Sequence, residues 1–278
     1  MDVFFLKEEL WKSRLEELSN LKTPHWDRSD LRKALKRLKR NKTSDPDGLI
    51  NEIFMEGCAG IDLQDSLLML LNGIKENVEF PEYILRQNIT TIYKNKGSRL
   101  DMENDRGIFI LSALKKILDR LIYLDKFESI DKNMSSSNIG ARKGRNIKDH
   151  LFIIYGIINS VLKGNEPCID IQIYDLIKAF DSLWLEDCLN DAFDSLDEKK
   201  RDDKLRLLYE SNKENWVAIN TAAGLTRRVC IEKIVQQGGT WGPLLCSNSV
   251  DTLGKKVRDR GSHPTCTRTQ SGCCLLLW

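Results

Sequence analysis

Apolar residues recur at helical spacing over residues 4–19 (Phe4, Leu6, Leu10, Trp11, Leu15 and Leu18), which predicts an amphipathic helix. A break at Pro24 follows. Leu31, Ala34, Leu35 and Leu38 then form the stripe of a second helix, capped by Ser29 or Asp30. Residues 43–48 are turn chemistry, with Pro46 setting φ and Gly48 supplying a left-handed position. Helices are expected over 49–55 and 62–75, a short β-branched strand over 88–93, and a polar loop over 94–106. A helix over 112–127 turns Leu114, Ile117, Leu118, Leu121 and Ile122 inward, and another covers 147–162. Ile169, Ile171 and Ile173 alternate with Asp170, Gln172 and Tyr174, the pattern of a half-buried strand over 168–174. Asp175 follows at its end, and Asp181 and Ser182 can cap a helix through Phe193. After a further helix, residues 216–222 and 227–231 flank Gly224 as a hairpin, and residues 236–243 open a helix to about Val257. Together these elements predict an α+β fold, helix-rich, with a small mixed or antiparallel sheet.

Charge changes this picture locally rather than globally. The net charge is only +2, but Arg32, Lys33, Lys36, Arg37, Lys39 and Arg40 oppose the apolar stripe of the second helix, and Lys42 follows. Such a stripe is either a solvated face or a contact for a phosphate backbone. Gly140-Ala141-Arg142-Lys143-Gly144-Arg145 is a second compact basic patch. A hydrophobic share of 41% and a charged share of 30% fit a folded globular chain. The longest apolar run, residues 151–162, is too short for a bilayer, and the first residues lack a signal-peptide pattern. The chain is therefore expected to be intracellular, cytoplasmic or nuclear, with no membrane partner and with its eight cysteines reduced. Cys58, Cys168, Cys188, Cys230 and Cys246 read as small core residues. His263, Cys266, Cys273 and Cys274 have no familiar structural zinc spacing.

The candidate chemistry centres on Asp175. A carboxylate at a strand end, with a helix starting just beyond, is suited to a hard cation such as Mg²⁺, which takes one or two protein carboxylates plus substrate phosphates. A lone strand-end Asp also serves as an ordinary turn or cap.

Five blocks in order add to this. They are Asn41-Lys42-Thr43-Ser44-Asp45-Pro46-Asp47-Gly48-Leu49-Ile50; Ile92-Tyr93-Lys94-Asn95-Lys96-Gly97 with Asn104-Asp105-Arg106-Gly107-Ile108; Gly140–Arg145 with Asp149-His150-Leu151; Asp175-Leu176-Ile177-Lys178-Ala179-Phe180-Asp181; and Gln237-Gly238-Gly239-Thr240-Trp241-Gly242-Pro243. In this order, over about residues 40–255, they resemble the reverse transcriptase domain of non-LTR (LINE-type) retrotransposons. The last two blocks, which match Asp-x-x-Lys-Ala-Phe-Asp and Gln-Gly-x-x-x-x-Pro, are the most specific.

The resemblance implies right-hand polymerase fingers plus an incomplete palm. An N-terminal helical extension would cover 1–27, a fingers-like region 28–165, a partial palm 166–260 and a disordered, non-family tail 261–278. It implies an RNA-directed DNA polymerase, a nucleotidyltransferase using Mg²⁺, whose partners are an RNA template, a DNA primer and deoxynucleoside triphosphates. Asp175 would be the first catalytic carboxylate and a ligand of both metal ions. Phe180 would crowd the 2′ position of the incoming nucleotide, or else be a core aromatic. Lys94 and Arg106 would neutralise the triphosphate, with Lys96 an alternative alignment for Lys94. Gln237 and Gly238 would line nucleotide and template, or form a plain turn into the next helix. Arg142 and Arg145 would hold template RNA, or be solvated loop charge. Asp181 belongs to the motif but reads as structural.

The departures concern the second metal site. The family places an Asp-Asp pair on a hairpin downstream of the Gln-Gly block, whereas here no Asp or Glu occurs after Asp259. Asp251 lies within a predicted helix and reads as structural. Asp45 stands where a small residue is usual, and Gly107 where Pro is common. The chain is therefore expected to be truncated before the Asp-Asp motif and inactive alone. The alternatives are an inactive RNA-binding remnant and a pseudogene product with no selected role.

Overall fold

A computed structural model describes residues 3–55, 60–164, 169–173, 179–180, 182–232, 235–259, 267–269 and 272–277. Helix α1 spans Val3–Ser19, as the apolar spacing predicts. It buries Trp11 and Leu18, and its Arg14 donates to the Asn190 side chain at 2.8 Å. Helix α2 spans Arg28–Leu35, and its cap lies two residues before the earliest one expected. Asp27 is its cap, and Asp30 completes a reciprocal capping box three residues on. The helix also stops early. Arg37 and Leu38 make tight i→i−3 bonds to Ala34 and Leu35, and Asn41 takes φ +56°. Lys36, Arg37, Lys39 and Arg40 therefore lie beyond the helix and do not share one of its faces, which corrects the expected basic stripe.

A 3₁₀ turn, Asn51–Phe54, stands in place of the helix expected at 49–55. Helices α3 (Ile61–Asn77) and α4 (Glu82–Leu85) follow, then strands β1 (Gln87–Tyr93) and β2 (Asp105–Leu111). Strand β2 was not expected. Its apolar run is short and abuts the cap Ser112, and antiparallel pairing with β1, from Gln87↔Leu111 to Tyr93↔Asp105, holds it extended. Helix α5 (Ala113–Asn133) runs past the expected end at 127, and α6 spans Ile147–Lys163 behind an Asn146–Asp149 capping box.

Strand β3 (Ile169–Ile173) and helices α7 (Leu185–Ser195) and α8 (Asp203–Glu210) come next. The cap of α7 is Trp184, later than the expected Asp181 or Ser182. Strands β4 (Glu214–Thr221), β5 (Gly224–Leu225) and β6 (Val229–Glu232) realise the expected hairpin, with both β5 and β6 antiparallel to β4. Helix α9 spans Gly242–Asp259, and strands β7 (Thr267–Thr269) and β8 (Gly272–Leu277) follow.

The larger sheet runs β2-β1-β4-β5, with β6 also on β4; β1 and β4 are parallel, so the sheet is mixed. The fold is a helix-rich α+β one. Strand β3 belongs to a second sheet, ordered β3-β8-β7, in which β8 runs parallel to β3 and antiparallel to β7. The C-terminal segment expected to be disordered thus supplies two strands.

One hydrophobic cluster joins Trp11 of α1, Leu35 of α2, Ile117 and Leu121 of α5, Leu189 of α7, Leu208 of α8 and Leu244 of α9. It crosses the boundaries expected at residues 27 and 165. Two buried cations on α5 are neutralised within it. Lys115 bonds Asp119 one turn on, and Lys126 bonds Asp202 at 2.5 Å and Asp125 at 2.8 Å. Among the described residues no helix is long and apolar enough to cross a membrane.

Candidate functional site

The turn at residues 43–48 is built around a buried carboxylate. Asp45 accepts through one oxygen from the amides of Asp47 (3.0 Å) and Leu49 (2.8 Å), and through the other from Ala113 (2.8 Å). The Gly48 amide donates to the Asp45 carbonyl at 3.0 Å, and Arg86 reaches the Asp47 carboxylate at 3.1 Å. This ties the turn to the first residue of α5. A small residue at position 45 could make none of these side-chain bonds, so Asp45 departs from the family pattern with a structural job of its own.

A second junction joins β2 to the Gln-Gly block. The Phe109 amide donates to the Gln237 carbonyl at 2.9 Å. Gly238 takes φ +108°, and a Cβ there would lie 2.9 Å from the Phe109 carbonyl oxygen and 3.2 Å from Ile108. Both the dihedral and the close approach require glycine. Gln236, just before, is buried and donates to Asn215 of β4, which also accepts from Gln87 of β1 at 2.8 Å. Strands β1 and β4 thereby fix the start of the block. A Cβ on Gly242 would collide with the Gln236 carbonyl and lie 3.4 Å from the Phe180 ring. Phe180 is half-buried and packs against the main core. Trp241 is buried, donates to the Asp119 carbonyl at 3.2 Å and meets Tyr123 edge-on at 5.4 Å.

The structure thus sets Gln237 and Gly238 against β2, while Phe180 lies at the other end of the block, beside Gly242. Arg106 lies exposed on that strand, opposite Ile92. Lys94 is exposed at the end of the same hairpin, with its ammonium on the Glu103 carbonyl at 2.7 Å. The basic patch at 140–145 splits in two. Arg142 donates to Asp131 at 2.8 Å and to the carbonyls of Asp131, Ser135 and Asn138 at 2.7–3.0 Å, so its guanidinium is spent on holding the α5–α6 connection. Arg145 is exposed. The patch also docks on α9, where Ser247 donates to the Gly140 carbonyl at 2.7 Å. Asp251 accepts from the Ser135 amide at 3.1 Å and pairs with Lys255 at 2.9 Å, a structural cap as expected. Burial alone would raise its carboxyl, but Lys255 and Ser135 hold it below the usual range.

Asp175, Lys178 and Asp181 lie outside the described residues. Among the described residues no group of three or more His, Cys, Asp or Glu side chains could hold a metal ion. Cys188 is buried and Cys230 and Cys246 are half-buried, in keeping with small packing residues; burial pushes the Cys188 thiol up to about 12.

Two features were missed in the sequence. The anchoring role of Asp45 had a signal, an Asp two residues before the Asp of an Asp-Gly turn, that fits side-chain capping of local amides. The Gln87–Asn215–Gln236 amide cluster had none, because its members are far apart along the chain. No protein-family model matches the chain, and no curated protein matches it either.

Proposed function

We propose that this chain is a reverse transcriptase domain fragment of a non-LTR retrotransposon, descended from a two-metal nucleotidyl transferase and inactive alone. The observation that carries the reading is the meeting of three separate blocks. The Gln-Gly block touches both of the others: Gly242 lies against Phe180 of the Asp-x-x-Lys-Ala-Phe-Asp block, and Gln237 and Gly238 lie against Ile108 and Phe109 beside Arg106, although 130 residues separate Ile108 from Gly238 in sequence. Residues that line one nucleotide site need such convergence. Gly238 adds a reason of chemistry, since a glycine there leaves backbone approachable. In this reading β1 and β2 belong to the fingers and β3 to the palm.

Inactivity follows from the carboxylates. In-line phosphoryl transfer by two metals needs acidic ligands on both sides of the reacting phosphate. The β7–β8 hairpin lies beside β3, downstream of the Gln-Gly block, where the resemblance calls for an Asp-Asp pair, and residues 267–277 include no Asp or Glu. Primer extension on an RNA template with Mg²⁺ tests this. No incorporation is expected, and incorporation lost in Asp175→Ala would overturn the inactivity while keeping the ancestry. Genomic DNA beyond the Arg260 codon tests the ancestry itself: an Asp-Asp pair in another frame is expected.

A second reading, an inactive RNA-binding remnant, is favoured by the exposure of Arg37, Lys39, Arg40, Lys143 and Arg145. It requires affinity for RNA that falls steeply with salt. Absence of binding at low salt would remove it.

A further inference from the structure

Helix α5 carries two cations that no described residue neutralises by an ion pair. Lys116 and Arg120 are half-buried and one turn apart, so their side chains rise from the same face. Among the described residues neither side chain has a hydrogen-bond acceptor or an ion-pair partner. Among other half-buried arginines, Arg14, Arg142 and Arg201 are each bonded to carbonyls or carboxylates, whereas Arg206 of α8, like Arg120, has no such bond among the described residues. Arg120 instead lies over the Tyr123 ring, 5.3 Å from its centroid. Arg37, just past α2, adds a third positive charge felt by both Arg120 and Tyr123.

Three carboxylates approach this cluster, and each is committed elsewhere. Asp45, near Lys116, is held by the amides of Asp47, Leu49 and Ala113. Asp119 is bonded to Lys115, and Asp131, near Tyr123, to Arg142. Burial pulls both Lys116 and Arg120 below their ordinary values, and Arg37 repels Arg120 further. Half-buried like charges without a counter-ion are unfavourable, and an anion bound among them would relieve that cost. The planar guanidinium of Arg120 suits a phosphoryl group in particular.

We propose that Lys116, Arg120 and Arg37 form a seat for a phosphate group, carried by a polynucleotide backbone or by a free nucleoside triphosphate. Tyr123, whose ring lies beneath Arg120, closes one side of the seat and joins it to Trp241 of the Gln-Gly block. Arg37 was already a candidate phosphate contact, whereas Lys116, Arg120 and Tyr123 had no site role, and the seat does not depend on polymerase ancestry.

Fluorescence anisotropy of the full chain with a labelled single-stranded RNA, titrated with salt, tests the seat, and competition by a deoxynucleoside triphosphate separates the two carriers. Arg120→Gln, Lys116→Gln and Arg37→Gln are each expected to weaken binding and to flatten the log–log salt slope by about one unit per lost phosphate contact. Arg37 is exposed, so its variant reports on binding even if a half-buried variant misfolds. Displacement of RNA by triphosphate means a seat open to both, and RNA binding that resists triphosphate means one reserved for a backbone. Triphosphate binding that depends on Arg120 without RNA binding means a free-nucleotide seat. Affinity and slope unchanged in all three variants, or no binding of either probe by the unaltered chain at low salt, overturns the proposal.

Discussion

Along α5, Lys115 and Lys116 are neighbours in sequence and opposites in circumstance. Lys115 is fully buried and bonded to Asp119, and Lys126 further along is fully buried against Asp125 and Asp202. Lys116 and Arg120, on the other face, are half-buried with no acceptor among the described residues. A buried cation is tolerated when a carboxylate accompanies it, so the first face is a structural solution. Among the described residues the second face lacks that solution, and this is the face on which the phosphate seat is proposed. The same residue types on one helix thus separate into those paired within the core and those without a counter-ion among the described residues.

The largest effect should come from breaking the paired face. Lys115→Met leaves the Asp119 carboxylate buried without a partner and should cost about 3–5 kcal/mol, read as a lowered urea midpoint. Lys115→Met with Asp119→Leu should recover most of that loss, and failure to recover would mean the pair is not the cause. Gly238→Ala forces a Cβ towards the Phe109 carbonyl at a strained dihedral and should cost about 1–3 kcal/mol.

Acid sharpens the same contrast. Burial alone would raise the Asp125 carboxyl, but Lys126, Lys200 and Lys204 outweigh it and hold it well below the usual range. Unfolded carboxylates titrate near about 4, so the unfolded chain takes up this proton first as pH falls. The stabilisation from Asp125 is therefore complete above that value and lost as pH drops below it. Urea midpoints measured from pH 6 to pH 3 should fall for the unaltered chain and fall less for Asp125→Asn. The smallest effect belongs to the unpaired face. Arg120→Met removes no ion pair and should leave the urea midpoint unchanged or slightly raised. A clear loss of stability would mean that Arg120 has a structural partner after all.

Much of the helical framework was legible because caps and apolar spacing are local. Helices α1, α3, α6 and α9 begin and end within two residues of the expected positions. Strand β2 was hidden because four apolar residues before a cap say nothing until β1 lies beside them. In the site, Gly238 was legible, since an adjacent glycine pair before a helix signals unusual backbone. Arg142 was not, because three of its four bonds go to main-chain carbonyls that any sequence would offer. The seat on α5 was invisible for a related reason: Lys116 and Arg120 differ from Lys115 only in what the fold leaves beside them.

The turn around Asp45 has a consequence for how the protein ages. Asp47-Gly48 is the dipeptide most prone to isomerise in a loose chain, through attack of the glycine nitrogen on the aspartate side chain. Here that nitrogen already donates to the Asp45 carbonyl, and Arg86 holds the Asp47 carboxylate. The same clasp that sets the start of α5 thereby keeps the reacting atoms from succinimide closure, and the bond ages slowly for as long as the turn stays shut.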